Sequence, residues 1–564
     1  MVVTYIKAAS TALTTPTLSY TESLSYQRDK TRFLTHHPTY SDHTLTTLRK
    51  REFSRLKSSV YLDYTGASLY PASLVESHKR WLVSCVVGNP HSDSPASVVS
   101  SRWMEEGRRA VLGFFDADEE VYDVVWTGNA SGGLRVVGEA WDWEGRRCLV
   151  PRDAHNSLNG VARLAVAGGG DFEFVEFDSC SSGDERDTIS RRAYVECLTK
   201  PYPSPSGSRG KDKGMAFFTG QSNITGTKLD LSLLPLAKSH NWTVALDAAA
   251  LAPSTRISLR SLDNSVDFMF VSLYKICGYP TGLGALLMRK DQYSRMNRKS
   301  TFYGGNIKGI TMDRFDFTLV EGPERFEDGT PNFAVMKSVR QGLEFAGRWM
   351  GRVGVRNGVL MRWLVRELEG IYYAEDERER ESGGGGKEEK RSLSFSSSNS
   401  SACCAASTPS THSGKDKGAV KLLRIGGPTN LALRGTTLPL VFSSPSGHAL
   451  NYRFVIWAAA REGISLRGGP CMCNPGASSS VMQRGLITDL DASTLLAEAD
   501  VGIVRVSLGT ATNFKDVWRL VHFVKKLTVE QWRMDMWREF EKVYPGKTLS
   551  CDIEELQARA TRKR

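Results

Sequence analysis

Apolar residues between positions 120 and 290 occur in short runs separated by segments with a helical pattern. The runs predict strands at residues 121–126, 148–150, 172–177, 215–219, 243–246, 266–272 and 284–288. Helices are predicted between them, for example at 133–141, 157–165 and 231–240, the last after a cap at Asp230. This alternation predicts an α/β fold with a mostly parallel sheet covered on both faces. Ligands of such sheets bind beyond the carboxyl ends of the strands, so candidate chemistry is expected there.

The remaining segments set the predicted domain limits. Residues 1–45 are rich in Ser, Thr, Tyr and His and predict a mobile tail, with an organellar presequence as the alternative. Residues 376–418, with their runs of Gly and Ser, predict an inserted surface loop. A strand at 440–442 and helices at 449–462 and 514–526 predict a small α+β domain over 419–545. The large domain then covers 46–375, its first segment packing on the small domain, and 546–564 form a basic tail.

Composition excludes several classes of protein. With 564 residues, 40% of them hydrophobic, the chain is neither wholly disordered nor fibrous. It has no run of eighteen apolar residues and no secretory start, so neither membrane spanning nor secretion is predicted. Ten cysteines are too few for a disulfide framework, which favours the reducing cytoplasm. The net charge of +11 is spread without a dense basic stripe, and nucleic-acid binding is not expected.

An acid and a lysine follow neighbouring predicted strands. Asp247 ends the strand at 243–246, and Lys275 comes just after the strand at 266–272. A lysine amine that forms a Schiff base and a carboxylate that keeps a pyridine nitrogen protonated would suit pyridoxal phosphate. From these two residues alone, a structural ion pair is an equally good interpretation.

Three further loops at strand ends offer groups for the same ligand. Residues 127–133, TGNASGG, lie between a strand and a helix and offer backbone N–H groups and hydroxyls to a phosphate, or form a simple turn. His155 follows the strand at 148–150 and could stack on a planar ring. Residues 221–226, QSNITG, follow the strand at 215–219 and provide an amide for a phenolic oxygen.

Nine ordered motifs give a specific resemblance. They are YLDYTGASLYP (61–71), GNPHS (88–92), TGNASGG (127–133), GQSNITGTK (220–228), LDAAA (246–250), SLYKICGYPTGLGALLMR (272–289), FEDGTPNF (326–333), CNPGA (473–477) and VRVSLG (504–509). In this order they resemble molybdenum cofactor sulfurases and, more distantly, cysteine desulfurases of the aminotransferase class-V branch. The resemblance covers residues 58–530 apart from the insertion. It implies a fold-type-I pyridoxal phosphate-dependent transferase with a smaller α+β C-terminal domain.

The resemblance also implies a role for each matching residue. Lys275 would bond covalently to the cofactor, Asp247 would pair with its ring nitrogen, and His155 would stack on the face of its ring. Asn129, Ala130, Ser131 and Ser272 would bind the phosphate, Asn223 the ring oxygen or substrate, and Arg505 and His91 the substrate. Residues 303–305 and Thr330 would be offered across a homodimer interface. No metal site is implied.

Cys473 would be the sulfur-accepting nucleophile. Gly468, Gly469 and Pro470 precede the CMC segment and Asn474-Pro475-Gly476 follow it, a composition typical of an exposed, movable turn. Cys471 is the rival nucleophile or a resolving thiol. A zinc site at this segment is a weaker alternative, because no second Cys or His pair with ligand spacing accompanies it.

The implied reaction converts L-cysteine to L-alanine through a persulfide on Cys473, with molybdenum cofactor or another compound as the sulfur acceptor. The chain departs from the family pattern in three places: Tyr274 replaces the histidine that many desulfurases have before the lysine, Ala248 to Ala250 include no glutamine, and one extra residue, Pro470, precedes the cysteines. We also expect the usual C-terminal molybdopterin-binding domain to be missing. The alternatives are a C–S lyase or related class-V enzyme without persulfide transfer, and an inactive scaffold.

Overall fold

The computed structural model describes residues 18–40, 43–177, 187–201, 213–296, 303–314, 316–374, 420–482 and 500–552. The described α-helices are α1 (Tyr20–His36), α2 (His43–Glu52), α3 (Ala72–Ser84), α4 (Pro95–Phe114), α5 (Ala130–Ala140), α6 (Asn156–Ala167), α7 (Arg191–Thr199), α8 (Leu233–Ser239), α9 (Leu273–Cys277), α10 (Met336–Glu369), α11 (Tyr452–Arg461), α12 (Pro475–Val481), α13 (Phe514–Lys526) and α14 (Glu530–Val543). Short 3₁₀ helices occur at Pro38–Tyr40, Ser54–Leu56, Arg260–Leu262, Lys290–Arg295, Pro323–Phe326, Phe333–Val335 and Leu431–Leu433.

The described strands belong to five sheets. They are β1 (Val60–Tyr61), β2 (Tyr122–Thr127), β3 (Arg147–Pro151), β4 (Asp171–Val175), β5 (Gly214–Thr219), β6 (Trp242–Asp247), β7 (Phe268–Ser272), β8 (Gly284–Arg289), β9 (Ile307–Ile310), β10 (Phe317–Leu319), β11 (Leu423–Ile425), β12 (Thr437–Phe442), β13 (Ala449–Leu450), β14 (Ile464–Ser465), β15 (Arg467–Gly469), β16 (Ile503–Ser507) and β17 (Ser550–Cys551).

A seven-stranded sheet forms the centre of the large domain. Its order is β2-β8-β7-β6-β5-β3-β4, and only β8 runs against the other strands. Strands β5 and β7 are buried along their whole length, because helices cover both faces of the sheet. The predicted α/β class and the mostly parallel sheet are therefore confirmed. The seven predicted strands all occur, most of them within one residue of their predicted limits.

The small domain is built on a four-stranded antiparallel sheet. Its order is β11-β12-β16-β15, and α10, α11 and α13 share one hydrophobic core with it. The N-terminal segment joins this domain, since β1 pairs in parallel with β14. Within the described part of the chain, none of the helices combines the length and apolar character that spanning a bilayer would require.

The prediction of a mobile tail over residues 1–45 is wrong for the part that the structure describes. Helix α1 begins with a capping box between Ser19 and Glu22 and buries Phe33. The Phe33 ring stacks on Phe514 of α13, with 4.3 Å between ring centroids, and meets Trp363 edge-on. A mostly polar segment is held here by a few aromatic contacts, which hydrophobic periodicity does not reveal. Residues 1–17 lie outside the described part.

Other predicted limits also shift. Residues 449–450 form β13, which pairs with β17, so the helix predicted from 449 begins only after the Asn451 cap. β17 itself lies in the segment predicted as a basic tail. Helix α8 begins two residues later than predicted, because Asp230 accepts hydrogen bonds from the backbone and side chain of Ser232 in a preceding turn. The insertion predicted at 376–418 lies outside the described residues.

Replacing Phe33 with alanine tests the packing of α1. We expect the free energy of unfolding to fall by about 3–5 kcal/mol, because the change leaves a cavity in an aromatic core. Chemical denaturation measures this change. Tyr20→Ala in the same helix is the control and should have little effect, since Tyr20 is 78% exposed. Equal stability of the two variants would mean that α1 does not pack on the small domain in solution.

Candidate active site

A cavity of about 140 Å³ lies at the carboxyl ends of β2, β3, β5, β6 and β7. Its wall brings together eight predicted site residues from five separate loops: Lys275, Asp247, His155, Asn129, Ala130, Ser131, Asn223 and Ser272. The carboxyl ends of parallel strands meet at one edge of a sheet, which explains why these sequence-distant loops converge.

Lys275 lies on α9, a single helical turn that begins directly after β7. The turn ends at Gly278, whose φ of 74° is a conformation that glycine adopts without strain. Among the described residues, Lys275 Nζ has no hydrogen-bond or ion-pair partner. Burial lowers the pKa of this amine, and Asp247 opposes the effect. At a given pH, a larger fraction of this amine is therefore neutral than in an exposed lysine, and the neutral amine is the form that can attack an aldehyde.

Asp247 is the last residue of β6. One of its carboxylate oxygens accepts a hydrogen bond of 3.0 Å from the backbone N–H of Ala249, which fixes the side chain at the strand end. Asp247 and Lys275 line the same cavity, but their side chains are not within ion-pair distance of each other. The alternative interpretation of Asp247 and Lys275 as a structural ion pair is therefore wrong.

His155 caps the N-terminus of α6. Its Nδ1 atom accepts a hydrogen bond of 3.2 Å from the Ser157 backbone N–H and lies 2.9 Å from the Ser157 hydroxyl. Burial lowers the pKa of the imidazole, while Asp247 raises it and Lys275 lowers it. Because Nδ1 is an acceptor in the neutral ring, Nε2 bears the proton.

The amino end of α5 forms a cradle for an anion at the same cavity. Asn129 caps this helix through a 3.0 Å hydrogen bond from the Gly132 N–H, and the Ser272 hydroxyl accepts the N–H of Ala130 at 3.0 Å. The Ser131 hydroxyl lies beside the cavity, 2.5 Å from that of Ser157 on α6. Backbone N–H groups, hydroxyls and a helix N-terminus together favour a phosphate group.

Two buried polar atoms at the cavity wall have no partner among the described residues. They are the hydroxyl oxygen of Thr219 and Oε1 of Gln221. An unpaired buried polar atom is costly, and at a cavity wall a bound ligand or a water molecule can satisfy it. Gln221 lies in the predicted amide loop beside Asn223, and Thr219 ends β5.

Arg505 lies behind Asn223, on β16 of the small domain. One terminal nitrogen of its guanidinium donates to the backbone oxygen of Asn223 at 3.0 Å, and the other donates to Asp63 at 3.0 Å. Arg505 also lowers the pKa of Lys275, as does Arg467, so both positive charges act on the cavity. The predicted substrate-binding arginine is therefore next to the predicted cofactor residues.

The cysteine loop adjoins the cavity from the small domain. Met472 and Cys473 have φ values of 40° and 64°, a left-handed conformation that costs energy in residues other than glycine. Cys473 is exposed, and Cys471 is half-buried and therefore less accessible. The backbone oxygen of Cys473 accepts a 2.7 Å hydrogen bond from Asn156, the residue after His155. No cluster of three His, Cys, Asp or Glu that could hold a metal occurs in the described ranges.

Known proteins share sequence and fold with this chain. The family model described as aminotransferase class-V matches residues 209–373, which include Gln221, Asp247 and Lys275. Residues 209–373 are therefore the part of the chain that is similar to aminotransferase class-V domains. The predicted resemblance to the class-V branch is thereby confirmed.

Curated proteins that are similar to this chain include molybdenum cofactor sulfurases. The tomato (Solanum lycopersicum) protein is 26% identical over 537 residues, which cover 89% of this chain and 60% of the relative. The Bos taurus protein is 30% identical over 329 residues, which cover 55% of this chain and 35% of the relative. The chain thus spans well under two thirds of the length of these curated relatives.

Solved structures with the same fold support the predicted fold type. An apo cysteine desulfurase from Thermococcus onnurineus is 21% identical, with a TM-score of 0.63, and the match covers 86% of this chain and 98% of that one. C-DES with glycine covalently linked to its PLP cofactor is 15% identical, with a TM-score of 0.57 and coverages of 85% and 98%. C-DES has also been solved as a cystine C–S lyase in complex with its product cysteine persulfide, at 16% identity, a TM-score of 0.57 and coverages of 84% and 99%.

His91 lies away from the cavity that Lys275 and Asp247 line. Its side chain is exposed, and its backbone N–H donates to Asn89, whose amide lies 3.4 Å from the Thr330 hydroxyl. The structure thus groups His91 with Thr330, a residue predicted for the subunit interface. His91 does not line this cavity in the single chain, and its substrate-binding role stays a prediction.

Sequence reasoning missed several residues of the candidate site. Tyr274, Ser157 and Asn474 line the cavity, and Asn474 also donates to the backbone oxygen of Asp153 at 3.1 Å. Asp63 joins the site through Arg505. Asn474 and Asp63 both stand inside motifs that carried the resemblance, CNPGA and YLDYTGASLYP, so their positions were a usable signal.

Proposed function

We propose that this chain is a pyridoxal phosphate-dependent cysteine desulfurase. It would convert L-cysteine to L-alanine and keep the sulfur as a persulfide on Cys473. The observation that supports this most directly is the buried Lys275, which lines the same cavity as Asp247 and has no partner for its amine in the part of the chain that the structure describes. The names of the relatives, molybdenum cofactor sulfurases and cysteine desulfurases, agree with the proposal.

The donor groups of the cavity fit pyridoxal phosphate. The amino end of α5, with Ser131 and Ser272, would hold the phosphate, and His155 would pack against the ring. Asp247 would pair with the ring nitrogen, while Gln221 or Asn223 would face the ring oxygen. Lys275 would bond to the aldehyde carbon. When bound, this cofactor supplies an electron sink that stabilises negative charge on the substrate carbons.

The residues of the chain have separate tasks in the proposed reaction. Arg505 binds the substrate carboxylate, for which its planar fork is well suited. The Cys473 thiolate attacks the sulfur of L-cysteine, so that an S–S bond forms as the substrate's C–S bond breaks. The electron pair of the broken bond stays with the substrate carbon, which takes up a proton and leaves as L-alanine. The Lys275 amine is placed to hold and deliver that proton.

Asp247 should control the pH at which Lys275 captures the cofactor. Capture needs the neutral amine, so its rate rises with pH through the lowered pKa of Lys275. Asp247→Asn removes the charge that raises this pKa and should move the rise to lower pH. Stopped-flow absorbance after mixing apo-protein with pyridoxal phosphate at a series of pH values measures the rate of capture and the midpoint pH of its rise. Asp171→Asn, at the opposite edge of the sheet, should leave the midpoint unchanged; an upward shift in Asp247→Asn would contradict the proposal.

We further propose molybdenum cofactor as the final sulfur acceptor. The support is the name shared by the curated relatives. The left-handed turn at Met472 and Cys473 supports the transfer step, because an exposed, strained loop is suited to present a persulfide to a second molecule.

A homodimer in the cytoplasm completes the proposal. Thr330 and the segment 303–305 would reach the partner's phosphate site. A second cavity, of about 400 Å³, lies between Thr330 and the Thr127–Gly128 turn and leaves room beside the α5 cradle. Val83 and Val86 are 83% and 79% exposed near the GNPHS loop, as expected for side chains covered by a second copy.

The second candidate is a C–S lyase, which the similar fold of C-DES favours. Incubation of the reconstituted protein with L-cysteine, without added thiol, distinguishes the two functions. A desulfurase yields L-alanine and a protein whose mass increases by one sulfur atom in the peptide containing Cys473. A lyase yields pyruvate, ammonia and hydrogen sulfide instead, and the mass of the protein is unchanged. Absence of both product sets would leave an inactive scaffold and overturn the proposal.

A further inference from the structure

The substrate-binding arginine belongs to a three-residue ion cluster. Arg505 on β16 stands directly opposite Arg467 on β15 in the antiparallel register. Like charges at opposite positions of a strand pair repel each other. Asp63 lies between them: its carboxylate is 3.0 Å from Arg505 Nη2 and 2.8 Å from Arg467 Nη2, and it also accepts the Arg467 Nε–H at 2.9 Å.

The local chain is adapted to this close approach. A β-carbon at Gly66 would lie 2.6 Å from an Asp63 oxygen and 2.7 Å from an Arg467 nitrogen, so only glycine leaves room for the cluster. The backbone of Asp63 is fixed by a bridge to Ser507, two residues beyond Arg505. Asp63 is therefore held between the two arginines by backbone structure as well as by charge.

The cluster has one positive charge in excess, close to the cavity. Asp63 is the acid that acts most strongly on Arg505 and Arg467; Tyr61 acts on both arginines, Tyr274 acts on Arg467, and the two arginines and Lys275 repel one another. Arg505 Nε has no partner among the described residues, and its side chain is almost fully buried. Arg467 is about half exposed, with 51% of its side chain accessible.

We propose that Asp63 determines the substrate class of this site. By neutralising one of the two guanidinium groups, it leaves a single positive charge for one carboxylate. The site then selects amino acids with an uncharged side chain, such as cysteine, over amino acids with a second acidic group. This inference rests on the proposed function, in which Arg505 binds the substrate carboxylate.

A nearly isosteric pair of probes tests the charge selectivity. L-Asparagine and L-aspartate differ mainly by one negative charge, and isothermal titration of the pyridoxal phosphate-loaded protein measures both dissociation constants. The wild type should prefer asparagine. Asp63→Asn should shift the ratio about tenfold toward aspartate, which corresponds to about 1.4 kcal/mol. Arg467→Gln, at a half-exposed site, should weaken both ligands and shift the ratio toward asparagine.

The double variant separates charge from structure. Asp63→Asn combined with Arg467→Gln restores one net positive charge and should return the ratio toward the wild-type value. A merely structural role for Asp63 would make the double variant worse than either single variant. Asp171→Asn, which removes a carboxylate paired with the remote Arg147, is the matched control and should leave the ratio unchanged.

The outcomes distinguish failure of this inference from failure of the proposed function. If the wild type binds L-alanine, the proposed product, but Asp63→Asn gains no aspartate binding relative to asparagine, the inference is overturned and the function stands. If the wild type binds no amino acid, the proposed function fails and the inference fails with it. If the Asp63→Asn variant does not take up the cofactor, the Arg467→Gln variant provides the test. An Arg467→Gln variant whose preference between asparagine and aspartate equals that of the wild type also overturns the inference.

Discussion

Lys275→Ala is expected to abolish covalent cofactor capture and to lower L-alanine formation from L-cysteine by about 10³-fold or more. The amine would serve both as the attachment point of the cofactor and as the group that moves the substrate proton, and loss of a general acid–base alone costs about 10²–10⁴-fold. The geometry gives the reason: Lys275 is buried at the cavity wall, has a lowered pKa, and has no partner among the described residues that would make it a structural ion.

The control for this variant is Lys228→Ala. Burial also lowers the pKa of Lys228, and its motif (220–228) follows β5 at the same edge of the sheet, but Lys228 does not line the proposed cofactor cavity. The absorbance of the reconstituted protein and the rate of alanine release are the two readouts. Retention of alanine formation by Lys275→Ala at near the wild-type rate would exclude the proposed role.

Cys473→Ser is expected to remove protein-bound sulfur while leaving the cofactor absorbance intact. L-Alanine formation should fall by about 10³-fold or more, because a serine hydroxyl at neutral pH is a far weaker nucleophile than a thiolate. The substitution should leave the rest of the structure unchanged, because the thiol is exposed and the hydrogen bond between Asn156 and Cys473 uses backbone atoms.

Cys471→Ser is the matched control for the nucleophile, two residues away in the same loop. Mass spectrometry of peptides after L-cysteine treatment should find the added sulfur at residue 473 in this variant. Sulfur that persists in Cys473→Ser and disappears in Cys471→Ser would assign the persulfide to Cys471 instead.

The parts of the site that follow strands could be predicted from the sequence. Lys275, Asp247, His155 and Ser131 each stand within a few residues of a strand end, and a parallel sheet brings such ends together. Alternation of strands and helices therefore predicted both the fold class and the edge at which the cavity lies.

Contacts between distant segments were not predictable in this way. Asp63 reaches Arg467 and Arg505, more than 400 positions later in the chain, through the pairing of β1 with β14 and a bridge beside β16. Periodicity contains no information about such pairing. Helix α1 was missed because its stability comes from Phe33 against Phe514, a tertiary contact. The substrate-binding role predicted for His91 rests on the GNPHS motif alone, and the structure places this residue away from the cavity.

Reduction with borohydride tests the central claim most directly. Wild-type protein loaded with pyridoxal phosphate is reduced, digested and mapped by mass spectrometry. The account predicts one modified peptide, with the pyridoxyl group on Lys275, and loss of that label in Lys275→Ala but not in Lys228→Ala. A protein that remains unlabelled, or that is labelled at a different lysine, would contradict the account.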